Sequence, residues 1–277
     1  MRDFTLNIYK NLLAELIKAN YKFMTFAEFV QEPNKKEKAI ILRHDVDKKP
    51  LSSLRTAELE NELGIKGTYY FRVEKDELPV EVIQRIAKMG HEIGYHYDDL
   101  NESRGNLEKA LDSFQKNLAK LRELTLVKTA CMHGSPLSRY DNRDLWEKYD
   151  YHDFGIIGEP YFDLDFSKTL YLTDTGRMWD GDKFSIRDRA RVQKSKNSNQ
   201  KENISRGAVC DPPALPLHST VDILNALKED RFPNKIMLTV HPQRWTDNYF
   251  HWLQELLWQK FKNLIKYIKL KRMEKTA

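Results

Sequence analysis

The chain is poor in the features that would assign it quickly. It has two cysteines in 277 residues, Cys131 and Cys210, too far apart for a paired zinc motif. They read as reduced thiols, which points to a cytosolic setting rather than a disulfide scaffold. No run approaches the 18 or so apolar residues of a membrane span. The opening residues Met1-Arg2-Asp3-Phe4-Thr5 lead into no signal-peptide core. The net charge of +5 is modest for this length, and no nucleic-acid motif accompanies it. The expectation is a cytoplasmic protein without a nucleic-acid partner. With 31% charged and 11% aromatic residues, the composition is that of a water-soluble globular chain.

What the chain does have is a set of apolar runs that end abruptly in histidine and aspartate. Ile40-Ile41-Leu42 leads into Arg43-His44-Asp45-Val46-Asp47. Ile93 leads through Gly94-Tyr95-His96 to Tyr97-Asp98-Asp99, and Ile236-Met237-Leu238 leads through Thr239-Val240 to His241. Such runs read as buried strands. Helical stripes alternate with them: Tyr9, Leu12, Leu13, Leu16 and Ile17 first, then segments near 51–63, 79–89 and 105–124. Further strands are expected at 68–73, 91–96, 126–132 and 154–158, with an aromatic strand and turn over 21–29 and a short helix near 142–148. Strands alternating with crossover helices imply a parallel sheet, as a barrel or an open sheet. In either arrangement chemistry gathers at the carboxyl ends of the strands.

Asp45 and Asp47 lie two apart on an extended strand, so their carboxylates can face one pocket. Two close carboxylates repel unless a cation intervenes. A divalent metal answers this, with one aspartate as ligand and the other as base toward bound water. The plainer alternative is that they cap the next helix or pair with Arg43 and Lys48. In Gly90-His91-Glu92-Ile93-Gly94-Tyr95-His96, alternation puts Gly94 and His96 on one side, the glycine leaving room for close approach. His96 beside the aspartate pair becomes a candidate zinc ligand.

These segments resemble the polysaccharide deacetylases of carbohydrate esterase family four, the NodB-like fold, and in particular a divergent branch found with bacterial surface-polysaccharide genes. The resemblance spans about residues 38–245 and is strongest over 90–96. It implies an α/β fold, a distorted (β/α) barrel of about seven parallel strands, with extra helices at both ends of a single domain, 1–277. It further implies Asp45 as catalytic base, Asp47 and His96 as metal ligands and His241 as the acid toward the leaving amine. Two departures stand out. The family's second ligand histidine falls on Leu100, so the third ligand is His133 or Asp99, with His133 favoured because zinc prefers nitrogen. Gly134 takes the place of the arginine that orients the base, a role left to Arg43 or Arg177. For the stretch from Leu172 to Asp180 the resemblance implies Asp174 to tune His241 and Trp179 as a sugar-facing wall, and the alternative is a polar turn with one packed tryptophan. Arg244 and Trp245 complete the substrate-binding set with Arg43 and Arg177, though Trp245 reads equally as a core residue.

The implied activity is hydrolysis of an N-acetyl or N-formyl group on a carbohydrate or lipid-linked sugar, dependent on a divalent metal such as zinc. The rivals are a catalytically inactive glycan-binding relic and a hydrolase of a non-sugar C–N bond. Two segments lie outside this reading. Residues 188–207, with Arg189, Arg191, Lys194 and Lys196, read as a solvated basic insertion or a lid for an anionic substrate. A helix over about 248–270 carries an apolar stripe among lysines, and reads either as the barrel's closing helix or as a peripheral contact with the inner membrane face.

Overall fold

The structure is a computed structural model that describes residues 2–33, 37–74, 77–134, 138–179 and 217–276, with side chains as far as 265. The expected basic insertion at 188–207, Asp180 and Cys210 lie outside the described residues. Seven strands form one sheet: β1 (Lys22–Met24), β2 (Ala39–Val46), β3 (Thr68–Phe71), β4 (Glu92–Tyr97), β5 (Val127–Met132), β6 (Leu170–Thr173) and β7 (Lys235–Val240). Every pairing between them is parallel, in the order β5-β4-β3-β2-β7-β6, with β1 joined to the first half of β2. The strand count and the direction are those expected. Among the described residues β5 and β6 do not pair, so hydrogen bonds leave the ring open there.

The flanking helices are α1 (Leu6–Lys18), α2 (Phe26–Gln31), α3 (Pro50–Glu62), α4 (Val80–Lys88), α5 (Asp99–Glu102), α6 (Leu107–Leu124), α7 (Pro160–Asp163), α8 (Thr220–Lys228) and α9 (Tyr249–Thr276). Helices on both sides bury the strands, and all eight residues of β2 are buried. One apolar cluster joins β3, β4 and β5 to α4 and α6, and another joins β2, β6 and β7 to α1 and α8.

Two segments differ from their sequence-based expectation. The aromatic stretch 21–29 is a strand only over three residues. Thr25 then accepts from the Glu28 backbone while Glu28 accepts from the Thr25 backbone, a capping box that starts α2 at Phe26. The expected strand at 154–158 is a 3₁₀ turn over Tyr151–Phe154 and a single bridge from Gly158 to Thr129. Gly155, at φ 69°, bends the chain out of extended conformation between them.

Gly94 has a structural reason of its own. Its neighbour in register is Tyr70 on β3, and a Cβ at Gly94 would collide with the Tyr70 ring and stand 3.1 Å from the Thr129 carbonyl. The room the glycine leaves is filled by that ring, not by a ligand. Gly94→Ala is expected to lower stability by about 1–3 kcal/mol through overpacking, measured as a shift of the denaturation midpoint.

Candidate active site

Register brings the polar strand ends together. Asp45 pairs with Tyr70, Tyr70 with Gly94, and His96 with Cys131, while His44 pairs with Val240 and Thr239 with Thr173. Asp45, Asp47, His96, His133, Asp174 and His241 therefore all arrive at the carboxyl edge of the sheet, on five of its strands or the residues just after them.

Asp47 is the hub. Its Oδ1 lies 3.4 Å from His96 Nε2 and 3.5 Å from His133 Nε2, and its Oδ2 lies 3.8 Å from His241 Nε2. Oδ1 is buried without a hydrogen-bond partner among the described residues. Gln243 Nε2 donates to Oδ2 at 3.4 Å. Burial pushes the Asp47 carboxyl up, but the three histidines outweigh it and hold it well below the ordinary carboxylate range. His96 Nδ1 lies 3.0 Å from the Cys131 carbonyl, an acceptor, and its Nε2 faces Asp47.

One donor atom from each of Asp47, His96 and His133 lies within 4.8 Å of the other two. An orphaned carboxylate oxygen between two imidazole nitrogens fits a divalent metal of borderline softness. A second set, Asp45, His96 and Cys131, meets the same distance, but both Asp45 oxygens are already engaged by Arg43, which makes it the poorer site.

His133 is backed by Asp98, whose Oδ2 lies 3.0 Å from its Nδ1. Asp98 is fixed in turn by Arg72 at 3.0 Å and Asn142 at 2.8 Å, and Asn142 also donates to the His133 carbonyl. A carboxylate behind a ligand histidine sets its ring orientation and basicity. Asp98 was readable in the sequence, since it follows His96 at the two-residue period of a strand. Asn142 had no such signal, because it comes from the 3₁₀ turn at Asn142–Glu147.

Asp99, the alternative third ligand, is turned away from the site. Its Oδ2 accepts from Tyr95 at 2.7 Å, and its Oδ1 accepts from Ser113 at 2.6 Å and Asn117 at 3.0 Å, the last two on α6. Burial raises its pKa, and the role it fills is to anchor α5 on α6.

Asp45 is gripped by Arg43. The guanidinium donates from Nε at 2.8 Å and from Nη2 at 2.7 Å, one bond to each carboxylate oxygen. Burial pushes the Asp45 carboxyl up, but Arg43, then His96 and His241, bring it below its ordinary value. It is thus ionised throughout the neutral range. The Arg43 side chain is buried between Tyr161 and Tyr70, so it orients Asp45 rather than meeting a ligand. The Arg43–Asp45 pair and a shared pocket with Asp47, set apart as alternatives by the sequence, coexist here.

His241 is held by Asp174, which follows β6. Asp174 Oδ1 lies 2.6 Å from His241 Nδ1 and accepts from Arg244 at 2.6 Å, while Oδ2 accepts from the His241 backbone at 2.9 Å and from Trp245 Nε1 at 2.7 Å. Burial opposes the charge on Asp174, but Arg244 and His241 prevail and keep its pKa below the ordinary value. Substituting Asp174→Asn would turn one acceptor into a donor among these four. The expected result is a loss of stability of about 1–3 kcal/mol, the cost of a buried polar group left without its partner, measured as a shift of the denaturation midpoint.

Four of the five residues expected to meet substrate at the mouth occupy other places, and Arg43 has been accounted for above. Trp179 and Trp245 are each 2% exposed and pack on Phe4 and on each other, so neither forms a sugar-facing wall. Arg244 is buried against Asp174. Arg177 lies over the rings of Phe4 and Trp252, and it is Arg43 that grips Asp45. Each had the right residue type near a strand end, but a strand-end position does not reveal whether a side chain turns to solvent or to the core.

No family profile and no curated protein sequence matches the chain. Solved structures similar to it include the following two. A family 4 carbohydrate esterase from Bacillus anthracis shares 18% identity at a TM-score of 0.35, over 55% of this chain and 67% of its own length. PdaA of Bacillus subtilis, also a family 4 carbohydrate esterase, shares 13% identity at a TM-score of 0.39, over 91% of this chain and 84% of its own.

Proposed function

We propose that the protein is a metal-dependent hydrolase that removes an N-acyl group, acetyl or formyl, from a sugar. The observation that carries the reading is the orphaned, buried Oδ1 of Asp47 between His96 Nε2 and His133 Nε2, with the Arg43–Asp45 pair on one side and His241–Asp174 on the other. Asp47, His96 and His133 would hold the ion. When bound, a divalent ion supplies Lewis acidity toward the amide carbonyl and a water of lowered pKa. Asp45 is the base. Ionised and fixed by Arg43, it takes the proton of the attacking water on a carboxylate oxygen. His241, its Nδ1 tied to Asp174, presents Nε2 toward the site and delivers a proton there to the departing nitrogen. Water thus adds across the C–N bond, and the acyl group leaves as a carboxylate beside a free amine. A role in bacterial surface-polysaccharide assembly rests on the sequence resemblance alone.

The second reading, hydrolysis of a C–N bond outside a sugar, is favoured by the burial of Trp179 and Trp245, which withdraws the expected stacking surface. Acetate or formate release from N-acylated sugars and from simple amides, with and without a chelator, separates the two. Chelator-sensitive release from sugars supports the first reading, release only from other amides supports the second, and no release from either would overturn both.

A further inference from the structure

The helix α9 shows apolar residues on both of its sides. One side is tied to the molecule: Trp252 Nε1 donates to the Asp3 carbonyl at 2.6 Å, and Asn263 Nδ2 donates to the Gly176 carbonyl at 3.1 Å. Leu256 is partly buried there, and Gln259 is buried. The opposite side carries Leu257, Trp258, Phe261 and Leu264, 60%, 50%, 53% and 55% exposed. Their spacing of one, three and three residues is that of a single helical face. A helix apolar on both sides has a second cover.

The charge pattern indicates what that cover is. Between positions 260 and 275 the helix has seven lysines and arginines and one acid, Glu274. A second copy laid along this stripe would bring cations against cations, which opposes association. An anionic lipid surface complements both features, the positive charge of this stretch of sequence and the exposed aromatic and leucine side chains. The helix is no span: among the described residues no helix is long and apolar enough to cross a membrane. We infer that α9 docks the protein on an anionic phospholipid surface through Leu257, Trp258, Phe261 and Leu264. On its tied side the same helix reaches the loop that carries Asp174, since Asn263 holds the Gly176 carbonyl in the turn that follows it.

The test is co-sedimentation of the full chain with vesicles of phosphatidylcholine, with or without phosphatidylglycerol, for the wild type and a Trp258→Ser/Phe261→Ser/Leu264→Ser variant. All three side chains are exposed, so the variant keeps its fold, which circular dichroism checks. Binding to the anionic vesicles only, weakened by added salt and reduced about tenfold or more in the variant, supports the inference. Absence of binding, or equal binding by the variant, overturns it. So does a wild-type dimer in light scattering that the variant converts to monomer, because the stripe then faces a second copy. Metal content is read in the same preparations: vesicle binding without metal would sink the hydrolase reading alone, and metal without vesicle binding the docking alone.

Discussion

Asp45→Asn is expected to lower turnover of an N-acyl sugar by about two to four orders of magnitude, the range for loss of a positioned base. Metal content should stay at the wild-type level, because the candidate ligands are Asp47, His96 and His133. An asparagine at 45 has no carboxylate to take a proton, and its amide nitrogen would face the Arg43 guanidinium, donor against donor. Arg43 is 1% exposed and already has one nitrogen, Nη1, without a hydrogen-bond partner among the described residues. The substitution therefore also costs stability, and a thermal melt taken beside the kinetics separates the two effects. Arg43→Lys serves as the companion variant. It keeps the charge but loses the planar fork that fixes both Asp45 oxygens, so it should lower turnover less than Asp45→Asn does. Wild-type turnover in Asp45→Asn would remove Asp45 from the chemistry.

Glu60→Ala is expected to have the largest effect on stability, about 3–5 kcal/mol, as for one partner removed from a buried charged network. Glu60 is fully buried on α3. It accepts from Tyr9 at 2.7 Å and from Tyr69 at 2.9 Å, with His44 Nε2 at 2.8 Å. His44 Nδ1 faces the Thr68 carbonyl at 3.2 Å, so both of its ring nitrogens look at acceptors. Removing the carboxylate leaves three buried donors without it. Burial raises the Glu60 pKa, but the interactions with His44 outweigh this and set it below its ordinary value of 4.5. A folded-state pKa below the unfolded one contributes stability that is present above about pH 4.5 and lost as the pH falls through the folded value. The gap between the wild type and Glu60→Gln should accordingly narrow on acidification, which chemical denaturation at a series of pH values measures. A gap that widens toward acid would contradict this assignment.

The network also marks where the sequence could be read and where it could not. Asp45, Asp47, His96 and His241 were legible because each closes a buried strand, and parallel register carries such ends to one edge. His133 was legible from its place after the run that forms β5. Glu60 was not, because within a helical stripe a glutamate reads as solvent-facing, and only the approach of Tyr9 from α1 and His44 from β2 explains its burial. Trp179 and Trp245 were misplaced for the converse reason. Aromatic residues beside a site suit a sugar wall, yet Phe4, far away in sequence, covers both. The capping box of Thr25 and Glu28 was present in the sequence, but the aromatic run around it read as a strand.

The central claim is that Asp47, His96 and His133 hold a divalent metal. Elemental analysis of freshly purified wild type beside His96→Ala and His133→Ala tests it most directly. Near-stoichiometric zinc or a similar ion in the wild type, lost in both variants, is the expected result. No metal in the wild type and none taken up on titration would contradict it.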